Sequence, residues 1–174
     1  MRITGGRYRG RTVQCPKGVI RPAMDRMRES LFNILGNIAG ESFLDLFSGS
    51  GVVGIEAASR GAAPVVLVEK DRGKRPVLIK NIAMVESPIR AHIMGAEVYL
   101  KRFTDTFDYI YLDPPFPLQG KRSFLSLAED RLNEDGFVMI HFPEEDDPGA
   151  ETERLKRFDL RSFGRSQLGF YRFK

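Results

Sequence analysis

Between Ser42 and Phe142, short apolar runs alternate with stretches of helical character, and this alternation restricts the chain to few architectures. Phe43–Phe47, Val65–Glu69, Ala91–Met94, Tyr109–Leu112 and Phe137–Phe142 are each too short for a helix. They are rich in β-branched or aromatic residues and bounded by Gly, Pro or charge, as strands are. Val52–Arg60 and Arg72–Val85, lying between them, suit helices. Such alternation builds an α/β fold: an open, mostly parallel sheet with helices on both faces. Near the end, Phe158–Phe163 and Leu168–Phe173 flank Gly164-Arg165-Ser166-Gln167 and predict a closing antiparallel hairpin. At the front, Met1–Thr4 and Gly10–Gln14 predict a small β-hairpin. Met27, Leu31, Ile34, Leu35 and Ile38 then recur at the spacing of one helical face. With 174 residues the chain is expected to form a single domain, residues 1–20 being a basic hairpin or arm attached to it. The acidic run Glu144-Glu145-Asp146-Asp147, before Pro148-Gly149, reads as an exposed loop.

Ligands of such sheets sit at the carboxyl ends of the strands. Phe43-Leu44-Asp45-Leu46-Phe47-Ser48-Gly49-Ser50-Gly51-Val52-Val53-Gly54 runs from an apolar strand through a glycine-rich turn into a helix. Its glycines permit backbone angles and close approaches that a Cβ would block, and the helix start presents free N–H groups. Gly49-x-Gly51-x-x-Gly54 also fits a dinucleotide fingerprint, so the spacing leaves an NAD-dependent oxidoreductase open. Asp45, placed before the loop, would oppose a pyrophosphate but suits a cationic ligand. S-adenosylmethionine carries an ammonium and a sulfonium and no phosphate. Glu69 ends the next strand and is placed to accept hydrogen bonds from two ribose hydroxyls, a role common to both cofactor classes.

The second motif is Asp108-Tyr109-Ile110-Tyr111-Leu112-Asp113-Pro114-Pro115-Phe116, an apolar strand ending in Asp-Pro-Pro-Phe. Two prolines fix φ and remove two N–H donors, leaving a stiff loop rich in acceptors. The Asp113 carboxylate and the Pro114 carbonyl can accept both hydrogens of an exocyclic amine. That would draw its lone pair out of conjugation and aim it at a methyl donor. Phe116 is expected to stack on the base.

Charge supplies a partner. Residues 1–28 hold eight basic side chains, among them Arg7, Arg9, Arg11, Arg21, Arg26 and Arg28, against one acid, Asp25. This segment carries +7 while the rest of the chain carries −3, the distribution expected of a polyanion-binding edge. The single cysteine, Cys15, excludes an internal disulfide and a multi-cysteine zinc cluster. His92 and His141, the only histidines, lack partners at metal-ligand spacing, and no metal is expected. No segment has the apolar length to span a bilayer and no secretory signal opens the chain, so a cytoplasmic location is expected.

The order of these motifs resembles the amino-methyltransferases acting on adenine N6, cytosine N4 or guanine N2. The front block Met1–Arg11, with Arg21-Pro22 and Asp25–Leu35, is similar to the bacterial 16S ribosomal RNA guanine-N2 methyltransferase family. Asp45–Gly51, Ser59-Arg60-Gly61-Ala62, Val68-Glu69-Lys70-Asp71 and Leu112–Phe116 fit that family too. The resemblance implies a Rossmann-like methyltransferase sheet and S-adenosylmethionine as cofactor. It implies a guanine N2 in small-subunit rRNA as acceptor, presented within a ribosomal particle; separately, a monomer is expected. It assigns Asp113, Pro114, Pro115 and Phe116 to the chemistry. Asp45, Phe47, Gly49, Gly51, Glu69 and Lys70 go to the cofactor, and Ala96 stands where the family's Asp is expected near the adenine. Ala23-Met24 and Gly164-Arg165-Ser166 also depart from the family pattern. A DNA amino-methyltransferase and a non-catalytic RNA-binding assembly factor of the same fold remain as alternatives.

Overall fold

The computed structural model of the protein describes residues 1–15 and 23–174. Seven strands form one sheet in the order β3-β2-β1-β4-β5-β7-β6. They are β1 (Phe43–Leu46), β2 (Val65–Glu69), β3 (Ile89–Ile93), β4 (Phe107–Leu112), β5 (Leu132–Pro143), β6 (Leu155–Phe163) and β7 (Ser166–Phe173). The first five pair in parallel, and β7 runs antiparallel to both β5 and β6. Among the described residues five α-helices accompany them: α1 (Ala23–Leu35), α2 (Val52–Ser59), α3 (Arg75–Ile82), α4 (Ala96–Arg102) and α5 (Lys121–Glu129). Apolar cores lie on both faces, which is why β1 and β2 are buried at every position and read as continuous apolar runs. The alternation of the sequence therefore becomes the parallel sheet it predicts, with the antiparallel pair at its end.

The strand order reverses between β1 and β4, which are neighbours although sixty residues of chain separate them. Their register pairs Asp45 with Tyr111 and Leu46 with Leu112. The loops that follow, Phe47–Gly51 and Asp113–Phe116, must therefore emerge side by side at the same end of the sheet. This is the topological switch point where open α/β sheets bind ligands.

The front of the chain is a pared-down hairpin. A single antiparallel bridge joins Arg2 to Thr12, supported by hydrogen bonds from the Ile3 amide to the Arg11 carbonyl (3.0 Å) and from the Val13 amide to the Met1 carbonyl (2.8 Å). Its turn packs on the end of α2. The Arg7 amide donates to the Ser59 carbonyl (2.7 Å) and the Tyr8 amide to Ser59 Oγ (2.8 Å), while Ser59 Oγ donates to the Gly5 carbonyl (2.6 Å). At Gly6, φ is +77°, and a Cβ would meet the Ser59 carbonyl oxygen at 1.9 Å, so only glycine allows this approach. The arm thus covers α2, all of whose residues are buried.

One expectation changes here. Arg28 is not a surface cation: it is 1% exposed, and its guanidinium bonds Glu56, itself fully buried in α2, and the Arg2 carbonyl. Burying either charge alone would cost several kcal/mol, so the pair holds together and Arg28 is withdrawn from RNA contact. The acidic run is exposed at Glu144, Glu145 and Asp147, as expected of it, and is tied to the fold by its ion pairs. Glu144–Asp146 form a turn of 3₁₀ helix, Asp146 pairs with buried Lys121, and Asp147 pairs with Arg157 (2.7 Å).

Candidate active site

A cavity of about 280 Å³ opens where the β1 and β4 loops meet. Asp45, Phe47, Ser48, Gly49, Glu69, Lys74, Tyr111 and all four residues Asp113–Phe116 line it, together with Met1, Cys15 and Met24 from the front of the chain. The two motifs recognised in the sequence are therefore brought into one site. Gly51, Lys70 and Ala96 lie outside the lining. Gly51 takes φ +79° at the start of α2, and a Cβ there would meet Leu78 Cδ1 at 2.7 Å. Its role is to let the loop turn and pack. Ala96 starts α4 and is buried, and Lys70 is exposed beyond Glu69, with Lys74 taking the place at the cavity wall.

The glycine loop is held by its own backbone and two carboxylates. The Ser48 amide donates to the Val68 carbonyl (2.9 Å), the Gly49 amide to Glu69 Oε2 (2.7 Å), and the Gly54 amide to Asp45 Oδ2 (3.0 Å). Phe47 adopts φ +64°, unusual for a residue with a side chain, which turns the chain sharply off β1. Gly49, at φ +55°, faces open space where a Cβ would stand. Burial holds the Asp45 carboxyl well above the usual carboxylate range. The Gly54 N–H opposes that shift, and the Asp113 and Glu69 charges add to it. A bound cation would reverse the imbalance. Ser48 Oγ and Tyr111 Oη are buried in this wall and find no hydrogen-bond partner among the described residues. Orphaned polar atoms on residues of the cavity wall, a buried carboxyl short of positive charge and a strand-end Glu suit a ligand carrying a cation and a diol.

The Asp-Pro-Pro-Phe loop is held by side chains that arrive from elsewhere. His141 on β5 sets Nδ1 2.8 Å from Asp113 Oδ1, and its ring stands edge-on to Phe116 with centroids 5.2 Å apart. Lys121, buried at the start of α5, donates to the carbonyls of Phe116 (2.9 Å) and Leu118 (2.8 Å) while pairing with Asp146. Sequence reasoning passed over both. Read from the sequence, His141 invites consideration only as a metal ligand. The signal for Lys121 is a lysine five residues beyond the motif, followed much later by an acidic run, a pattern without meaning until the fold is known.

The remaining arginines divide. Arg7 pairs with Glu86 and Arg11 donates to the Met84 carbonyl, both lying over the ring of buried Tyr8. Arg9 and Arg26 are exposed. Arg21 lies outside the described residues.

A family model described as Conserved hypothetical protein 95 matches residues 1–172. The ribosomal RNA small subunit methyltransferase D of Escherichia coli K12 is 35% identical over 87% of this chain and 78% of its own length. A putative rRNA methyltransferase of Bacillus subtilis is 36% identical over 83% and 84%. Among solved structures, a putative methyltransferase from Escherichia coli superposes with a TM-score of 0.89 at 31% identity, covering 100% of this chain and 98% of that one. The chain therefore belongs to the Conserved hypothetical protein 95 family, the methyltransferase family that includes ribosomal RNA small subunit methyltransferase D.

Proposed function

We propose that this protein transfers a methyl group from S-adenosylmethionine to the exocyclic N2 of a guanine in small-subunit ribosomal RNA. The observation that carries the reading is the shared cavity, whose lining includes Asp45 and Glu69 together with Asp113, Pro114 and Phe116. The names of the relatives supply the RNA class. Bound in this cavity, S-adenosylmethionine supplies an electrophilic methyl group on a sulfonium. Asp45 favours its ammonium, and Glu69 keeps acceptor capacity for the ribose, since a carboxylate has more lone pairs than its bonds to Gly49 and Asp71 use.

On the acceptor side, His141 occupies Asp113 Oδ1 and leaves Oδ2 for one amine hydrogen. The Pro114 carbonyl takes the other, and Phe116 stacks on the base, worth on the order of 1–3 kcal/mol. Orientation and proximity then do most of the work. The proton released after transfer passes to Asp113 or to water. Exposed Arg9 and Arg26, with Arg7 and Arg11 at the arm surface, are placed to meet phosphates, an affinity that weakens with salt.

The test is incubation with isotopically labelled S-adenosylmethionine and unmethylated small ribosomal subunits or free rRNA, followed by nucleoside mass spectrometry. Label in N2-methylguanosine is the expected outcome. Label only in N6-methyladenosine would keep the clamp and overturn the base assignment. Absence of label despite cofactor binding would overturn the catalytic reading on this acceptor.

A further inference from the structure

The charge of the chain is divided more sharply than its front suggests. Residues 154–174 hold seven basic side chains against one acid, Asp159, and so carry +6, while residues 29–153 carry −9. This basic stretch is the antiparallel pair β6–β7, with β6 at the edge of the sheet. Four of its cations are neutralised: Arg154, Arg157, Arg161 and Lys174 pair with Asp130, Asp147, Asp159 and Glu151. Lys156, Arg165 and Arg172 are exposed and enter no ion pair among the described residues. Lys156 and Arg172 are also register partners, and like charges directly opposite each other destabilise a sheet. Charge on an edge strand hinders pairing with other chains, but either sign serves that end. An almost wholly positive hairpin calls instead for a polyanion.

Aromatic rings lie among these cations. The register of β6 against β7 shifts between Arg157 and Asp159, so Phe158 is the extra residue of a bulge, a device that re-aims a side chain. Its ring rests against Phe137 and Phe170, with centroids 4.9 and 6.2 Å away, and carries the Arg172 guanidinium at 5.1 Å. It is still 38% exposed. Phe170 belongs to the core that also holds Met27 and Leu31 of α1. Phe158, Arg172 and Lys156 therefore share α1's side of the sheet, since residues directly opposite each other point the same way. Phe163 packs on that core from the far end of β6, and with Arg165 it lines a cavity of about 250 Å³ that Phe116 also lines. From Lys156 to Phe163 the strand covers about 23 Å, at roughly 3.3 Å per residue.

We propose that this face of the β6–β7 hairpin is a platform for a single-stranded segment of the RNA, leading to the acceptor site at Phe116. The proposal rests on the rRNA-methyltransferase reading above and adds a second RNA surface to the arm. Phosphates meet Lys156, Arg172 and Arg165, and a base stacks on the open part of the Phe158 ring beside the Arg172 guanidinium. Cations interleaved with aromatic faces hold single strands of many sequences, because every base has a π-face. A duplex keeps its bases stacked inside and offers Phe158 none. Single-stranded RNA is the occupant that uses both the charge and the ring.

The test measures binding of a fluorescein-labelled oligouridine and of a short RNA duplex to the full chain, by anisotropy across a salt series. The wild type should bind the single strand more tightly. Lys156→Gln with Arg172→Gln should weaken oligouridine binding by roughly 10-fold and make log K against log salt shallower by about 1.4, as loss of two single-strand phosphate contacts does. Phe158→Leu keeps an apolar side chain against Phe137 and Phe170. It should weaken oligouridine binding by roughly 5- to 100-fold with the salt slope unchanged and duplex binding near wild type. Lys80→Gln with Arg102→Gln removes the same charge from exposed sites on α3 and α4, and should cost less than about 2-fold. S-adenosylmethionine affinity should be unchanged in all of these variants.

A wild type that ignores oligouridine or binds the duplex as tightly would overturn the platform. So would an unchanged salt slope in the Lys156 and Arg172 variant, wild-type binding by Phe158→Leu, or an equal loss in the control pair. Each of these results leaves rRNA methylation standing, because label in N2-methylguanosine on small subunits is measured separately. Absence of that product from wild-type reactions would instead remove the reading beneath the proposal, and the proposal with it.

Discussion

The loop after β1 is shaped by bonds within about twenty residues of itself: Gly49 to Glu69, Gly54 to Asp45, Ser48 to Val68. The loop after β4 is shaped by Lys121 on α5, His141 on β5 and, through Lys121, the turn at Asp146. Both line the same cavity, yet the first is a backbone cradle and the second a set of acceptors braced from outside. A cradle binds a constant ligand. An externally braced loop lets the acceptor side be retuned by residues that never touch the methyl donor.

Removing the acceptor itself tests the contrast most severely. Asp113→Ala should lower methyl transfer by roughly 1000-fold, as losses of aligned, charge-stabilising groups do, while S-adenosylmethionine binding measured by calorimetry stays close to wild type. A variant that retained near wild-type turnover would show that the β4 loop does not aim the amine.

Loosening the brace comes next. Lys121→Met leaves two loop carbonyls and Asp146 without their shared donor, and kcat should fall by roughly 10- to 100-fold with KM for the cofactor little changed. Loss of cofactor affinity instead would mean that the two loops are not separately supported. The converse probe strikes the cradle. Gly54→Ala places a Cβ 2.1 Å from Leu67 Cδ2, and overpacking of this kind costs about 1–3 kcal/mol, visible as a lower Tm in thermal unfolding.

The smallest effect has an unexpected sign. The Asp45 carboxyl is raised above its unfolded value by burial, so the folded state holds a proton that the unfolded state has released. Its contribution to stability is present at low pH and is lost as pH rises from the ordinary carboxylate range through the raised value. Asp45→Asn keeps an acceptor for the Gly54 amide and removes that loss. The variant should melt a few degrees higher at neutral pH, about 2–4 °C per kcal/mol, with a flatter pH profile, while binding S-adenosylmethionine more weakly. A lower Tm would show that the negative charge is stabilised by groups other than the ligand.

The same contrast explains what the sequence revealed. The strand alternation, the glycine loop, Glu69 and Asp-Pro-Pro-Phe are local patterns, and local patterns are legible because strand periodicity and turn chemistry act over a few residues. Their meeting in one cavity followed from the rule for switch points. His141 and Lys121 were not legible, since each acquires its partner only through packing across 28 and 25 residues. The arginines erred in the other direction. Their density in residues 1–28 reads as a surface for polyanions, but Arg28 neutralises Glu56 inside the protein. Glu56 lies in an otherwise small and apolar helix, and that buried acid was the available hint.

The docking of the arm on α2 has a consequence for how RNA would be measured. Residues 1–15 carry Arg7, Arg9 and Arg11 on a turn that Gly6, Tyr8 and Ser59 fix to the same helix the glycine loop leads into. A cation on such a platform is a ruler mark. On the proposed function, a phosphate seated on Arg9 would leave only so many nucleotides to reach Phe116, and strands too short or too sharply folded to span that interval would go unmethylated whatever their base. The backbone of the described part of the arm is already fixed, so on the proposed function RNA would order only its side chains, and its contacts would translate into register more than into induced fit.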